Sequence, residues 1–295
     1  MNIKVNIERD ANMNECLSMA LNALADISSA NGEKVVLDLS GVQCVLPSFV
    51  MPLLVAVNTI NKELEVLCSQ RLKDILFPCG LAAKDMRPVQ LKAVLNGYSN
   101  NNGFPIIEFP AAYSSEDETS SIISCLESTI YANLNTTPIN IINGLRYVIG
   151  EIIDNVTQHS KSNNGYIYPY INHEEGYIEV AIADCGIGLL GSYNANNDYD
   201  ICSDIEAIQA ANRGISTKNL PNAENRGFGI VTSKRMIIEG LKGAYVMISG
   251  NALSLKGSSL TQFLQLAPEI RFDGTIVIFR MPLKANDFNY INYIE

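Results

Sequence analysis

A glutamate, an asparagine and a histidine recur at every fourth position of the segment RYVIGEIIDNVTQHS, which covers residues 146–160. In a helix, Glu151, Asn155 and His159 would follow one line, because about 3.6 residues complete each turn. The apolar residues of the segment form a core stripe, and Glu151 and Asn155 lie on its flank. A flank position lets a polar group line a cleft beside the core and contact another molecule. For this helix alone, a solvated edge explains the pattern equally well.

An acid followed by two spaced glycines ends the apolar segment YIEVAIADCGIGLL. The segment predicts a strand that presents Asp184, after which Gly186 and Gly188 let the backbone turn sharply and another molecule approach closely. A carboxylate at such a position can accept a hydrogen bond from an exocyclic amine such as that of adenine. Asp and Gly also build ordinary turns, so this motif alone is weak evidence.

A glycine-rich entry to a helix follows in NRGFGIVTSKRMIIEGLKG. Gly227 and Gly229 precede a predicted helix over residues 230–241, and Arg226 stands just before them. Free backbone N–H groups at such a helix start favour a bound anion. Glycine-rich helix entries are common, so the anion site needs support from the other motifs.

A Gly-Thr turn that enters the strand-like segment FDGTIVIF is the fourth element. In order and separation, the four elements together resemble the GHKL superfamily of ATP-binding domains, of gyrase, histidine-kinase and MutL type. The resemblance covers roughly residues 120–283. Its boxes are matched by Glu151 and Asn155 (the N-box), Asp184, Gly186 and Gly188 (D-x-G-x-G), Gly227 and Gly229 (the G-x-G after the lid), and Gly274 and Thr275 (the closing Gly-Thr).

The resemblance implies an α/β sandwich that holds ATP between a sheet, helices and a lid. In that arrangement Asn155 would carry the Mg²⁺ that bridges the phosphates, and Asp184 would bind the adenine amino group with Thr275 nearby. Glu151 would orient or deprotonate an attacking water or hydroxyl, as a general base does. For His159 we expect structural support ahead of chemistry.

The same resemblance assigns the phosphate end of the ligand to the second glycine pair. Gly227 and Gly229 would let the lid and the helix start reach the phosphates, and Arg226 or Lys218 would add positive charge. Gly186 and Gly188, which belong to the D-x-G-x-G box, would also contact the nucleotide.

Composition narrows the class of protein. The chain has 295 residues, 47% of them hydrophobic and 18% charged, which is typical of a folded protein with room for two domains. The net charge is −10 and no basic run appears, so binding to nucleic acid is disfavoured. The N-terminus shows no signal peptide, and no apolar stretch reaches the roughly 20 residues that span a bilayer. We therefore expect no membrane association and a cytoplasmic location.

The first part of the chain, residues 1–112, reads as alternating strands and helices. Its segment VVLDLSGVQCVLPSFVMPLL resembles the STAS domain of anti-anti-sigma proteins, in which a D-L-S-x-V strand and a short loop precede a helix that starts at a phosphorylatable serine. Asp38, Leu39, Ser40 and Val42 fit that pattern. Leu46 and Pro47 depart from the usual Asp-Ser, and Phe49 departs from the usual Gly. The segment FPIIEFP is predicted to close this domain as a strand.

Ser48 stands where the STAS phosphoacceptor would be. An ordinary helix N-cap explains the same residue and is the interpretation that we prefer. As a phosphoacceptor, it would place a phosphate at a helix N-terminus, where the helix dipole stabilises negative charge.

The second part, residues 118–295, changes character after the polar boundary YSSEDE. Helical spacing is predicted over residues 119–134 and 139–159, followed by strands over 166–171 and 177–183. Residues 192–225 show little sustained periodicity, as a lid or binding loop would. A helix and three strand-like segments complete the chain.

These observations predict a cytosolic regulatory protein in which a STAS-like module is joined to a GHKL domain resembling the anti-sigma serine kinases. Its activity would be that of an ATPase or a serine/threonine kinase acting on or through a protein partner. The alternative is a non-enzymatic nucleotide sensor, in which lid closure over ATP changes a protein-binding face. GHKL relatives are often dimers, so a homodimer is left open.

Overall fold

The computed structural model describes residues 1–30, 34–59, 63–76, 86–98, 104–112, 116–134, 136–195, 200–215 and 228–294. Within these ranges the chain has an α/β fold, with a parallel sheet of three strands and a larger sheet of seven strands. This confirms the fold class predicted from the alternation of short apolar runs and amphipathic helices.

Strands and helices alternate around the first sheet, whose strand order is β1-β2-β3 with every pairing parallel. Its elements are β1 (Asn2–Ile7), α1 (Met13–Ser29), β2 (Val35–Val42), α2 (Pro47–Thr59), β3 (Leu64–Cys68) and α3 (Gln70–Leu76). The start of α1 is fixed by a capping box. The Asn12 side chain accepts from the backbone N–H of Glu15 at 3.1 Å, and the Glu15 carboxylate accepts from the backbone N–H of Asn12 at 2.9 Å.

The second sheet has the order β4-β5-β6-β10-β7-β8-β9, and its pairings are antiparallel. Its strands are β4 (Ile107–Pro110), β5 (Asn164–Asn172), β6 (Tyr177–Asp184), β7 (Ala244–Gly250), β8 (Ala252–Gly257), β9 (Thr261–Gln265) and β10 (Phe272–Pro282). The helices are α4 (Pro88–Tyr98), α5 (Glu116–Asn133), α6 (Ile139–His159), α7 (Gly188–Asn194), α8 (Asp204–Asn212) and α9 (Phe228–Arg235). Helix α9 continues as a π-helical turn over Met236–Gly240, and a separate 3₁₀ turn follows at Tyr290–Tyr293.

The two faces of the second sheet serve different cores, because side chains alternate along each strand. Ala181 and Ile276 belong to the core shared with the helices of the first sheet. Their strand neighbours Ile182 and Val277 belong to the core shared with α5 and α6. The second sheet is therefore covered on both sides, which explains why its central strands are apolar at nearly every position.

Two buried hydrogen bonds join the first part of the chain to the second sheet. The backbone N–H of Ser48, at the start of α2, donates to the Glu179 carboxylate at 2.8 Å. The Tyr168 hydroxyl donates to the carbonyl of Val45 at 2.8 Å. Glu179 is fully buried and pairs with Arg280 at 2.6 Å, so the charge at this junction is compensated within the sheet.

Most predicted elements are confirmed. The helix predicted over residues 139–159 coincides with α6, and the predicted strands 166–171 and 177–183 lie within β5 and β6. The helix predicted from residue 230 is α9 with its π-helical turn.

Three sequence interpretations differ from the structure. FPIIEFP does not close the first sheet, because β4 pairs with β5 in the second sheet; a short strand between prolines carries no signal for its partner. The irregular stretch from residue 192 contains a short helix, α8. Four strands follow α9 rather than three, since the exposed strand β9 has weak apolar alternation.

Ser48 is the second residue of α2 rather than its N-cap. The backbone N–H groups of Phe49 and Val50 both donate to the carbonyl of Leu46 at 3.0 Å, so Leu46 is the capping position and Pro47 is the first helical residue. The Ser48 side chain is fully buried, and its hydroxyl has no hydrogen-bond partner among the described residues. A phosphoryl group at Ser48 would require this junction to open, which argues against the phosphoacceptor interpretation.

In the described ranges, no helix combines the length and the apolar character needed to cross a bilayer.

Candidate functional site

One cavity of about 940 Å³, including the open space at its mouth, lies between the second sheet and the helices α6, α7, α8 and α9. Strands β6, β7 and β10 form its floor. Its polar lining residues are Glu151, Asn155, His159, Ser160, Asp184, Ser192, Tyr193, Tyr245 and Thr275. Gly188 and Gly229 also line it, so every box of the sequence motif contributes at least one residue to the same cavity.

Helix α6 presents its polar line to this cavity. Glu151, Asn155 and His159 all line it, while the apolar stripe of α6 is buried in the core. The Asn155 side-chain N–H donates to the carbonyl of Glu151 at 2.8 Å. This bond leaves the carboxamide oxygen as the group that Asn155 can offer to a ligand or a metal ion.

Glu151 lies against a tyrosine and a helix start. Burial raises the pKa of Tyr147 to about 12, and the Glu151 carboxylate beside it adds to the rise. A Cβ at Gly229, near the start of α9, would collide with the Glu151 carboxylate. The glycine therefore allows α9 to approach the carboxylate of α6 closely, and the two motifs form adjoining walls of the cavity.

Asp184 ends β6 with only 3% of its surface exposed. Burial raises the pKa of its carboxyl to about 6, although hydrogen bonds from the backbone N–H groups of Gly186 and Thr275 oppose the rise. The bond from Gly186 measures 2.8 Å. Asp184 is thus a buried carboxylate that hydrogen bonds hold in a fixed position, as expected of a group that recognises a ligand.

Two glycines close to the end of β6 have a positive φ. Gly188 has φ +66 and Gly274, on the neighbouring strand, has φ +86, a region that side chains disfavour. A Cβ at Gly186 would collide with the carbonyl of Ser160, and one at Gly274 with the Asp184 backbone. The end of α6, the turn after β6 and the Gly-Thr turn therefore pack backbone against backbone at the cavity rim.

Ser249, on β7, connects these turns. It is not among the site residues predicted from the sequence. Its hydroxyl accepts from the backbone N–H of Leu189 at 2.9 Å and donates to the carbonyl of Gly274 at 2.9 Å. The Thr275 hydroxyl lies 3.4 Å from the same oxygen. Nothing in the segment around Ser249 marks it, because its partners are 60 and 25 residues away in the chain.

Three predicted site residues, Lys218, Arg226 and Gly227, lie outside the described residues. Among the described residues that line the cavity, none is a lysine or an arginine. No cluster of three or more His, Cys, Asp or Glu side chains within the described ranges could hold a metal ion by itself.

No family model, no curated protein and no solved structure matches this sequence. The resemblances to the GHKL and STAS families accordingly rest on the sequence motifs.

Proposed function

We propose that this protein binds ATP and Mg²⁺ as a GHKL-type regulatory protein, with ATPase or serine/threonine kinase activity that controls a partner protein. The proposal is carried by one observation: residues from distant motifs line a single cavity, namely Glu151, Asn155, Asp184, Gly188, Gly229 and Thr275.

The base of the nucleotide would lie against the sheet. Ile182, Met247 and Val277 give this part of the floor an apolar surface on which a flat ring can pack. At one end of that surface, the buried carboxylate of Asp184 would accept from the exocyclic amine of adenine, and Thr275 would lie beside it. A guanine base offers a carbonyl oxygen at that position, so Asp184 favours adenine over guanine.

The phosphates would lie between α6 and α9. Mg²⁺ commonly binds one or two protein oxygens together with phosphate oxygens and water, so the Asn155 carboxamide oxygen fits it as a single protein ligand. Bound there, the ion would neutralise phosphate charge. The backbone N–H groups at the start of α9 would add favourable dipoles near Gly229.

The role of Glu151 distinguishes the enzyme hypothesis from the sensor hypothesis. Its carboxylate lines the cavity beside Asn155, where it would orient or deprotonate an attacking water or hydroxyl. Binding alone requires no base. The alternative, a non-enzymatic nucleotide switch, is favoured by the burial of Ser48, which leaves the chain without an accessible acceptor at the position of the STAS phosphoserine.

The partner would be a protein, and we place the complex in the cytoplasm. The chain carries a net charge of −10 and no basic run, which disfavours nucleic acid as the partner. The STAS-like part would contribute the partner-binding face, since its β3 edge and α1 are exposed on their outer sides.

The binding experiment is titration calorimetry of the full chain with ATP, ADP and GTP in the presence of Mg²⁺. We expect adenine nucleotides to bind and GTP to bind more weakly. Asp184→Asn should lose much of the preference for adenine, and Asn155→Ala should lose the Mg²⁺ dependence. As a control, Asn133→Ala changes a comparable carboxamide on α5 that bonds only its own helix. Absence of heat with every nucleotide would contradict the proposal.

The turnover experiment uses ATP labelled on the γ-phosphate, with the purified protein alone and with candidate partners. Release of labelled phosphate indicates an ATPase, and transfer to a partner indicates a kinase. Glu151→Gln should abolish either activity while nucleotide binding persists; Glu127→Gln, on α5 outside the cavity, is the control. Tight binding without any turnover would favour the sensor.

A further inference from the structure

The floor of the cavity is polar at both ends and apolar between them. Strand pairing sets three rows across β10 and β7: Thr275 opposite Ser249, Val277 opposite Met247, and Phe279 opposite Tyr245. Ser249 and Tyr245 are four residues apart on β7, so their Cα atoms are separated by about 13 Å at roughly 3.3 Å per residue. Asp184 and Thr275 form one polar end, and Tyr245 is the polar residue at the other.

Tyr245 is buried with an unmatched hydroxyl. The residue lines the cavity and has 0% of its surface exposed. Its hydroxyl has no hydrogen-bond partner among the described residues. Burial also raises the pKa of this phenol, so it stays neutral and keeps its proton as a donor. A buried hydroxyl without a partner lowers stability, and such a group in a folded protein calls for an explanation.

The other unmatched buried hydroxyls in the described ranges do not share this location. Ser48 lies at the junction with α2, Ser233 on α9 and Tyr131 on α5, and none of the three lines the cavity. Of these four residues, Tyr245 is the one that lines the cavity.

We propose that Tyr245 determines ligand specificity: its hydroxyl hydrogen-bonds the heterocyclic base of the bound nucleotide at an edge remote from the one that Asp184 contacts. The inference rests on the proposed function. The apolar row of Val277 and Met247 suits the face of a ring, and polar groups at both ends suit two of its edges. A purine has ring nitrogens that accept hydrogen bonds, and a neutral phenol donates to such an acceptor.

The test is Tyr245→Phe, a change that removes only the hydroxyl. The stability of the free protein should rise, whereas its affinity for ATP should fall. Without nucleotide, the variant should melt at a higher temperature than the wild type, because an unsatisfied buried hydroxyl is gone. Its Kd for ATP should rise about 3- to 10-fold, because the contact with the base is lost. A purely structural role would not weaken binding while raising the melting temperature.

Ser233→Ala is the matched control, since it also removes an unmatched buried hydroxyl but lies outside the cavity. It should raise the melting temperature and leave the Kd unchanged. Deaza analogues of ATP, each lacking one ring nitrogen, identify the contact: one analogue should bind the wild type more weakly, and Tyr245→Phe should not distinguish it from ATP.

Unchanged ATP affinity in Tyr245→Phe would overturn the inference. The proposed function would stand in that case, since the wild type still binds ATP. Failure of the wild type itself to bind any adenine nucleotide would overturn both.

Discussion

The Glu179 carboxylate accepts a hydrogen bond from the backbone N–H of Ser48 at 2.8 Å, although 131 residues separate the two in the chain. Arg280 donates to the same carboxylate through two nitrogens, at 2.6 and 2.8 Å, and its guanidinium stacks 4.1 Å from the centre of the Tyr177 ring. A negative side chain thus meets the N-terminus of α2 while its charge is balanced within the sheet. The first part of the chain is attached to the second sheet by this buried network.

Glu179→Ala should therefore destabilise the whole protein. The change leaves the Arg280 guanidinium, which is 21% exposed, without its partner, and it removes the acceptor at the start of α2. Breaking a buried pair from one side costs about 3–5 kcal/mol of unfolding free energy. Urea denaturation followed by circular dichroism measures it.

The control for this prediction is Glu65→Ala, which breaks the exposed pair with Lys34 at 2.9 Å. Exposed pairs contribute about 1 kcal/mol or less, so this variant should unfold close to the wild type. Equal unfolding free energies for Glu179→Ala and Glu65→Ala would show that the junction network contributes little.

The sequence motifs identified residues that line one cavity, whereas the sequence did not predict which strands pair. The motif residues of α6, β6 and β10 could be identified because their spacing is local: a line at every fourth position, and glycines within a few residues of an acid. The sheet to which β4 belongs could not, since strand pairing is decided by contacts between distant segments.

Two residues of the candidate site show the same limit. Ser249 acts through Leu189 and Gly274, which lie far away in the chain, and a single serine in an apolar strand carries no signal of that role. In the sequence, nothing distinguishes Tyr245 from other strand tyrosines. Only the strand register shows that it lies on the cavity floor. Ser48 shows the converse: its local pattern indicates a helix cap, but packing against Glu179 buries it.

Ser249→Ala should weaken both the fold and nucleotide binding. The hydroxyl links the turn at Leu189 to the turn at Gly274, and its loss leaves the N–H of Leu189 without that acceptor. We expect a loss of about 1–3 kcal/mol of unfolding free energy, together with a higher Kd for ATP. Thermal unfolding and calorimetry measure the two effects. Ser128→Ala, whose hydroxyl bonds only its own helix, should change neither; a wild-type Kd in Ser249→Ala would refute the positioning role.

Asp184 should make stability depend on acidity. Its pKa is about 6 in the folded protein against an ordinary value of 3.8, so the folded state holds the proton more tightly. The shift therefore stabilises the folded protein. This stabilisation is fully present below the pKa of Asp184 in the unfolded chain and is lost as the pH rises through about 6. Between about pH 5 and about pH 7, it should fall by about 1 kcal/mol. The check is the unfolding free energy of the wild type minus that of Asp184→Asn; a difference that does not vary with pH would contradict the shift.

Nucleotide binding should have the opposite dependence on pH. A protonated Asp184 is a weaker acceptor for the exocyclic amine, so ATP affinity should decline as the pH falls below about 6. Calorimetry at a series of pH values measures the decline. Asp184→Asn should bind more weakly throughout and show a flatter profile. The ATP phosphates also titrate in this range, and the variant corrects for their contribution. Parallel profiles for the two proteins would exclude Asp184 as the group responsible.

A buried lysine joins the two helices that flank the cavity. The Lys234 ammonium, on α9, donates to the backbone carbonyl of Asn212 at 2.7 Å and to its side-chain oxygen at 3.1 Å, at the end of α8. The Asn212 amide donates in turn to Ser254 on β8 at 3.2 Å. Ala211, next to Asn212, lines the cavity, so this bond holds one of its walls.

Lys234→Met should weaken ATP binding and change how stability depends on pH. Burial lowers the pKa of Lys234 to about 7 from its ordinary value of 10.5. The nearby Lys256 contributes to this decrease, and Glu239 opposes it. The unfolded chain therefore binds more protons above pH 7, and the wild type should gain about 2 kcal/mol relative to the variant between about pH 6 and about pH 8.5. Urea denaturation at both pH values measures the gain. Lys92→Met, at an exposed position of α4, should show no such trend. A pH-independent difference between the wild type and Lys234→Met would mean that the ammonium keeps its ordinary pKa, and the link between α8 and α9 would then be a simple charged hydrogen bond.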